Sequence, residues 1–247
     1  MQRGTAGMSR LTASDAPGRH GLKVRQPEKG YRFSLDALLL ADFARLPEGA
    51  AVADLGTGCG IIPLVLAQSR ADIRCVAIES NPEMAALALE NARENRLDER
   101  IEVVCDDILT TRSRFPDSVF DVVLANPPFR TPRSGRISPH AGRDAARHES
   151  TAGLADFLSA AKYLVKPTGR ICFVYLPSRL GELLSCARDQ KLAVLRLRMV
   201  HGNEQSIAKI FLVELAKGRR GEPVIEPPLF VRDPSGSYTG ETAAILG

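Results

Sequence analysis

From Asp36 onward, the chain alternates between two hydrophobic patterns that correspond to two kinds of secondary structure. Short continuous apolar runs, such as AAVADL and FDVVLA, are typical of strands buried on both faces. Between them lie longer segments whose apolar positions recur at helical spacing. Strict alternation of the two patterns predicts an α/β fold with a doubly wound, mostly parallel, Rossmann-like sheet.

The predicted elements can be placed directly on the sequence. Strands are predicted in the segments AAVADLG, IRCVAIE, IEVVCDD, FDVVLAN and RICFVYLP. Helices are predicted in LDALLLADFARL, IIPLVLAQS, NPEMAALALENARENR, GLADFLSAAKYLV and RLGELLSCARDQ, the third with Asn81 as N-cap and Pro82 in its first turn. Two late strands, AVLRLRMV and AKIFLVEL, lie close enough in sequence to form an antiparallel C-terminal hairpin.

The length and composition fit one domain with short additions at both ends. The chain has 247 residues, of which 44% are hydrophobic, enough for one sizeable core. Residues 1–20 are rich in Ser, Thr, Gly and Arg without periodicity, so we predict a flexible N-terminal tail. We predict a single domain over residues 21–247, with a C-terminal extension from about residue 218.

Several classes of protein are disfavoured by composition. The chain has no apolar run long enough to span a membrane and no apolar core of a signal peptide. Its five cysteines form no C-x-x-C pair, which argues against zinc, and an odd count fits the reducing cytoplasm. Cys75, Cys105 and Cys172 lie inside apolar runs and are predicted to be buried thiols. We therefore expect a cytoplasmic protein with no metal and no membrane partner; oligomeric state is not predicted.

Parallel sheets bind ligands beyond the carboxyl ends of their strands, so the residues that follow each strand carry the functional prediction. After the first strand, Gly56, Gly58 and Gly60 give a G-x-G-x-G loop that allows a tight turn and close approach to a ligand. The dinucleotide pattern would need a glycine where Ile61 stands, and the loop has no cation for a pyrophosphate. Asp54 can order the loop or accept from a ligand amine. A purely structural glycine turn is the alternative.

The next two strands end in carboxylates. Glu79 lies 19 residues past Gly60 and can accept both hydroxyls of a ribose, or can cap the next helix. Asp106 and Asp107 follow the third strand, where one of them can accept from an adenine amino group while Cys105 or Ile108 packs on the ring. A plain helix or turn cap is the alternative for one of this pair. Together these positions describe a pocket for a nucleoside without phosphates, which favours S-adenosylmethionine over NAD.

The fourth strand ends in Asn126-Pro127-Pro128-Phe129. The prolines cannot donate to a sheet and hold the preceding residues extended, which predicts a stiff hook that presents acceptors. Such acceptors suit an amino group, because pulling on its hydrogens localises the nitrogen lone pair toward an electrophile. Phe129 can stack on a planar base. An ordinary turn is the alternative.

These motifs resemble a known family. DLGTGCG, AIE and NPPF, in this order, resemble the class I S-adenosylmethionine-dependent amino-methyltransferases. GYRFSLDALLLADFA (Gly30–Ala44), SGRISPH and ARHES (Ala146–Ser150) resemble the bacterial tRNA adenine-N6 methyltransferases that modify valine tRNA beside the anticodon. The resemblance runs from about Gln26 to about Leu215. Phe129 departs from the Tyr that the family often has, which keeps stacking but removes one phenolic hydrogen bond.

The resemblance implies methyl transfer from S-adenosylmethionine to an exocyclic amino nitrogen, N6 of an adenine in tRNA. It implies that Asn126, the Pro127 carbonyl and Phe129 hold the target base, with no general base. It also implies that Tyr31, Arg32, Phe33 and Asp36 line the methionine end of the cofactor. The full predicted cofactor site is Tyr31, Arg32, Phe33, Asp36, Asp54, Gly56, Thr57, Gly58, Gly60, Glu79, Ser80, Asp106, Asp107, Ile108 and Asn126.

The positive charge of the chain is concentrated after the hook. Residues 130–148 contain five arginines against Asp144 alone, a surplus of +4 that equals the net charge of the whole chain. We predict that these residues clamp an RNA phosphate backbone at the mouth of the site, a solvated loop being the alternative. The arginines are Arg130, Arg133, Arg136, Arg143 and Arg147.

Three other functions remain open on the sequence. An N2-guanine rRNA methyltransferase or a protein-glutamine N5-methyltransferase would use the same hook, although the latter has no need of the basic segment. A non-catalytic nucleoside-binding module would need the pocket but not Asn126.

Overall fold

The computed structural model describes residues 11–15, 21–27, 35–128, 152–218 and 222–246. Within these ranges the chain forms a nine-stranded sheet flanked by helices, together with a separate two-stranded sheet. The strands are β1 Leu11–Asp15, β2 Lys23–Pro27, β3 Ala51–Leu55, β4 Arg74–Glu79, β5 Ile101–Cys105, β6 Phe120–Ala125, β7 Val165–Tyr175, β8 Leu192–His201, β9 Ala208–Lys217, β10 Val224–Ile225 and β11 Leu229–Phe230. The α-helices are α1 Leu35–Phe43, α2 Ile61–Ser69, α3 Pro82–Glu94, α4 Thr111–Arg114, α5 Leu154–Leu164, α6 Leu180–Asp189 and α7 Gly240–Leu246.

The large sheet has the order β5-β4-β3-β6-β7-β9-β8, with β10 and β11 both pairing with β8 at its edge. β9 runs antiparallel to both of its neighbours, and the other pairs are parallel. The chain turns back directly from β8 to β9, whereas the parallel pairs among the other strands are joined by helical crossovers. The doubly wound, mostly parallel sheet with an antiparallel C-terminal hairpin is therefore confirmed.

Each central strand is buried on both faces, which explains its continuous apolar sequence. In β3, Val52 packs into the cluster on the side of α1 and α2, and Ala53 packs into the cluster on the side of α5. β6 repeats this alternation with Leu124 and Val123. Because neither face meets water, the strands show no polar alternation, and the helices cover the sheet from both sides.

The N-terminal prediction needs correction at residues 11–15. These residues form β1 and pair antiparallel with β2, whereas the sequence predicted a flexible tail throughout residues 1–20. A two-stranded ladder is held by backbone hydrogen bonds, and the polar composition of this segment gives no sign of it.

The C-terminal extension adds structure to the sheet. β10 and β11 lie along β8 after residue 218, and α7 follows them. Two ion pairs tie the extension to β8, with Arg196 to Glu226 at 2.8 Å and Arg198 to Glu241 at 2.7 Å. The extension therefore covers what would otherwise be a long exposed sheet edge.

One cysteine prediction is wrong. Cys75 and Cys172 are buried as expected, but Cys105 is exposed. Cys105 is the last residue of β5, which is the opposite edge strand of the sheet and is therefore covered by a neighbour on one side only.

Among the described residues, no helix is both long and apolar enough to cross a membrane.

Candidate functional site

The register of four parallel strands brings their carboxyl ends to one edge of the sheet. Leu55, the last residue of β3, pairs with Ile78 of β4 on one side and with Ala125 of β6 on the other. Glu79 at the end of β4 pairs with Cys105 at the end of β5. The residues that follow these strands are therefore neighbours, as the sequence predicted.

The loop after β3 requires its glycines. Gly56, Gly58 and Gly60 have φ angles of +71°, +59° and +84°, a region that other residues rarely adopt. The N–H groups of Gly56 and Thr57 donate to the Ile78 carbonyl at 2.8 and 3.0 Å, which ties the loop to β4. A Cβ atom on Gly56 would lie 3.4 Å from the ring of Phe157. The loop is thus both specially shaped and closely packed.

Asp54, near the end of β3, holds the glycine loop through a hydrogen bond with Thr57. Its side chain is buried, and its Oδ2 accepts a hydrogen bond of 2.6 Å from the Thr57 hydroxyl. Its Oδ1 is also buried and has no hydrogen-bond partner among the described residues. Burial raises the pKa of the Asp54 carboxyl to about 7, against a smaller opposing effect of the Thr57 hydrogen bond. A buried acceptor without a donor is a place where a ligand amine or hydroxyl can bind.

Glu79 connects the glycine loop to helix α3. Its Oε2 accepts from the Gly58 N–H at 2.9 Å, and its Oε1 accepts from the Asn81 N–H at 2.9 Å. A carboxylate has about four acceptor positions, so each oxygen retains one for the hydroxyl of a ribose. Glu79 therefore also binds the backbone at the start of α3, which is the alternative role that the sequence left open for it. The predicted N-cap is confirmed, because Asn81 accepts from the backbone of Glu83 and Met84.

The two aspartates after β5 both make local caps. Asp107 Oδ1 accepts from the Leu109 N–H at 3.0 Å and caps a short 3₁₀ helix over Ile108–Thr110. Asp106 Oδ1 accepts from the Asp107 N–H at 2.8 Å and from the Thr110 hydroxyl at 2.6 Å. In each carboxylate these contacts use one oxygen. Their predicted role toward an adenine amino group stays a prediction.

The hook that follows β6, Asn126–Pro128, lies beside a cavity of about 170 Å³. Asn126 is half-buried, Pro127 is buried and Pro128 is exposed. Across the cavity, Arg179 pairs with Glu182 at 2.6 Å and lies 5.0 Å from the centre of the Tyr175 ring. The cavity is lined by Pro127, Pro128, Ala152, Gly153, Leu154, Ala155, Tyr175, Arg179, Glu182 and Cys186. Its small size and its mixed polar and apolar lining suit one planar polar group.

Part of the predicted site lies outside the described residues. This applies to Tyr31, Arg32 and Phe33, to Phe129, and to the arginines Arg130, Arg133, Arg136, Arg143 and Arg147. Of the remaining positions, Asp36 lies in the first turn of α1 and Ser80 directly follows β4, and both are half-buried. Thr57 and Ile108 are buried.

Two residues at this site were missed by sequence reasoning. Phe157 of α5 is buried against Gly56. Asn91 of α3 is fully buried and donates to the Cys59 carbonyl of the glycine loop at 2.9 Å. Asn91 lies four residues after Leu87 and three after Ala88, both on the buried face of α3. A polar residue at helical spacing within an apolar face is the signal that could have identified Asn91 as buried, although it does not specify the partners of the amide.

Comparison with known proteins gives consistent relatives. The family model described as "Methyltransferase small domain" matches residues 35–179. A protein of Porphyromonas gingivalis named "tRNA1(Val) (adenine(37)-N6)-methyltransferase" is 35% identical over 149 residues, which are 60% of this chain and 58% of that protein. A protein of the same name from Aeromonas hydrophila is 30% identical over 195 residues, 77% of this chain and 80% of that protein. The chain thus spans somewhat more than half the length of the first relative.

Solved structures support the fold. A structure described as a predicted O-methyltransferase from Agrobacterium tumefaciens superposes with a TM-score of 0.71 and 21% identity, over 85% of this chain and 95% of that chain. A SAM-dependent methyltransferase from Aquifex aeolicus superposes with a TM-score of 0.52 and 21% identity, over 73% of this chain and 88% of that chain. At these identities the likeness bears on the architecture alone.

Proposed function

The chain belongs to the methyltransferase small domain family, and we propose that it transfers the methyl group of S-adenosylmethionine to the N6 amino group of an adenine in tRNA. One observation carries the proposal. The glycine loop, Glu79 and the hook Asn126–Pro128 lie at one edge of the sheet, so that the residues predicted to bind a nucleoside and the acceptors predicted to bind an amino group are neighbours.

The residues present fit S-adenosylmethionine. The loop approaches a ligand through glycines, and the carboxylate of Glu79 retains acceptor capacity for two ribose hydroxyls. The buried Oδ1 of Asp54 is a suitable acceptor for the cofactor ammonium group, directly or through a water. The loop itself, from Gly56 to Gly60, contains no Lys or Arg. These features favour a nucleoside that carries an amino acid over one that carries phosphates.

The hook supplies orientation. S-adenosylmethionine, when bound, supplies an electrophilic methyl group. The Asn126 side-chain oxygen and the Pro127 carbonyl are acceptors for the two hydrogens of the target amine. Holding these hydrogens keeps the nitrogen lone pair directed at the methyl group and stabilises the positive charge that develops on nitrogen. The proton becomes acidic only as the new bond forms and can leave to water, so no general base is needed.

The choice of tRNA adenine rests on two supports. The relatives from Porphyromonas gingivalis and Aeromonas hydrophila carry that activity in their names. The cavity beside the hook is small and suits one unstacked base, as expected for a base in a single-stranded loop. The predicted arginine clamp over residues 130–148 stays a prediction.

The decisive experiment measures both the acceptor and the modified nucleoside. The purified chain is incubated with methyl-tritiated S-adenosylmethionine and total tRNA, and the digested RNA is separated by nucleoside chromatography. We expect the label in N6-methyladenosine, and its loss with Asn126→Ala. Label in N2-methylguanosine, or label confined to protein when extract is added, would replace the adenine assignment with one of the two alternatives. No transfer to any acceptor would refute the activity.

A further inference from the structure

We propose that Asn91 is a positioning residue for the cofactor, which holds the glycine loop after β3 and the strand β2 in one fixed arrangement. The inference rests on the proposed function only in taking S-adenosylmethionine as the ligand. Asn91 lies on α3, outside the predicted site, and touches neither the hook nor the cavity beside it.

The Asn91 amide is almost fully used. Its Nδ2 donates to the Cys59 carbonyl at 2.9 Å and to the Arg25 carbonyl at 3.0 Å. Its Oδ1 accepts from the Arg25 N–H at 2.8 Å. The side chain is fully buried, and a buried amide is unfavourable unless its donors and acceptors are paired. One side chain therefore joins two backbone segments that are otherwise far apart in sequence.

The bond to Cys59 acts on the cofactor loop. Cys59 stands between Gly58 and Gly60, both of which have positive φ angles. Glycines restrain the backbone least, so the direction of the peptide groups in this turn must be fixed by hydrogen bonds. Asn91 fixes the Cys59 carbonyl, while the neighbouring Gly58 N–H donates to Glu79. Through the turn, Asn91 therefore helps to set the position of the carboxylate that is expected to bind the ribose.

The other two hydrogen bonds of the Asn91 side chain hold the backbone of β2 at Arg25. Asn91 binds both the N–H and the carbonyl of Arg25, as a neighbouring strand would. Arg25 lies in β2, which pairs with β1 in the separate two-stranded sheet. The Asn91 amide thus connects β2 to the glycine loop.

Asn95, the C-cap residue that directly follows α3, provides a control with the same type of contact to β2. It binds the N–H and the carbonyl of Lys23 at 3.0 and 2.8 Å, just as Asn91 binds Arg25. Four residues of helix rise about 6 Å and two residues of strand rise about 6.6 Å, so the two amides match alternate residues of β2. The Asn95 Nδ2 also donates to the Asn91 carbonyl at 2.8 Å, and within the described residues its side chain makes no hydrogen bond to the glycine loop. The two residues therefore differ in the bond to Cys59 and in burial, because Asn91 is fully buried and Asn95 is half-buried at the end of the helix.

The test compares Asn91→Ala with Asn95→Ala by calorimetric titration of S-adenosylmethionine and by thermal unfolding. We expect Asn91→Ala to raise the cofactor Kd by about tenfold or more, the scale of one lost hydrogen bond in a buried site. Asn95→Ala should lower the melting temperature but leave the Kd within about twofold of the unmodified chain. At saturating cofactor, kcat should be nearly unchanged in both variants, because the hook is intact. If Asn91→Ala does not fold, Asn91→Ser takes its place, and the same rise in Kd is expected because the amide donor to the Cys59 carbonyl is again removed.

A double-mutant cycle separates positioning from a general loss of stability. If Asn91 acts through the loop on Glu79, removing Asn91 in a Glu79→Ala background should raise the Kd less than twofold. Equal losses of affinity in the Asn91 and Asn95 variants, or full additivity with Glu79→Ala, would overturn the inference. Failure of the unmodified chain to bind S-adenosylmethionine would instead refute the proposed function, so the two failures are distinguishable.

Discussion

The carboxyl of Asp54 makes a quantitative prediction about stability and pH. Burial raises its pKa in the fold from the ordinary value of 3.8 to about 7. Between these pH values the unfolded chain has lost the proton and the folded chain retains it. The folded state therefore binds more protons, and the free energy of unfolding must fall as the pH rises from about 4 to about 7. At ~1.36 kcal/mol per pH unit, the full change is about 4 kcal/mol.

The substitution Asp54→Asn isolates this effect, because it keeps the size of the side chain and an acceptor for the Thr57 hydroxyl. Urea unfolding of both chains without cofactor should be measured at several pH values from 4.5 to 7.5, a range chosen to cover most of the titration. We expect the stability of the unsubstituted chain to fall relative to Asp54→Asn by about 3 kcal/mol across this range, which is most of the full change, and the difference to level off above it. Stability curves that run parallel for the two chains would refute the reasoning.

The same group links cofactor binding to pH. If Oδ1 of Asp54 accepts from the cofactor ammonium group, binding favours the ionised carboxyl and must release a proton near pH 7. Calorimetric titrations in buffers with different ionisation enthalpies should detect this proton in the unsubstituted chain. With Asp54→Asn the release should be much smaller. Equal proton release by both chains would place the ammonium group elsewhere.

Three further predictions test the rest of the site. Glu79→Ala should weaken S-adenosylmethionine binding by roughly 1–3 kcal/mol in calorimetric titration, the cost of lost charge-assisted hydrogen bonds, and unchanged affinity would contradict the ribose role. Gly56→Ala should destabilise the fold by more than Gly49→Ala in urea unfolding, because both have positive φ but only Gly56 also has the Phe157 ring within 3.4 Å of the added methyl group. Asn126→Ala should lower single-turnover methyl transfer by about 10²-fold with cofactor binding intact, and Asn126→Asp should retain more activity; an alanine variant as fast as the unsubstituted chain would reduce the hook to a turn.

The sheet, the glycine turn after β3 and the N-cap of α3 could be predicted because their determinants are local in sequence. Gly56, Gly58 and Gly60 are needed by a backbone that only glycine adopts easily, and this need is visible in the residue type itself. Asn81 caps the helix that begins one residue later, so its role is also local. Asp106 and Asp107 show the limit, because a carboxylate at a strand end looks the same whether it caps a turn or binds a ligand.

What could not be predicted depends on partners that are distant in sequence. Asn91 binds Cys59 and Arg25, which lie 32 and 66 residues away, and nothing local specifies either contact. β10 and β11 have two residues each and become strands only because β8 offers them an open edge. Strands this short have no periodicity to detect, and tertiary pairing decides their conformation.

The residues of the predicted cofactor site are held by bonds that exist before any ligand binds. Thr57 holds Asp54, Glu79 holds Gly58, and Asn91 holds Cys59. Because these groups are already fixed, little conformational entropy is lost when a cofactor binds to them. Loosening any one of them should therefore appear first in the affinity for the cofactor. We expect the hook to contact the target amine, which gains charge only as the methyl group transfers, so loss of Asn126 should appear in the rate of the chemical step.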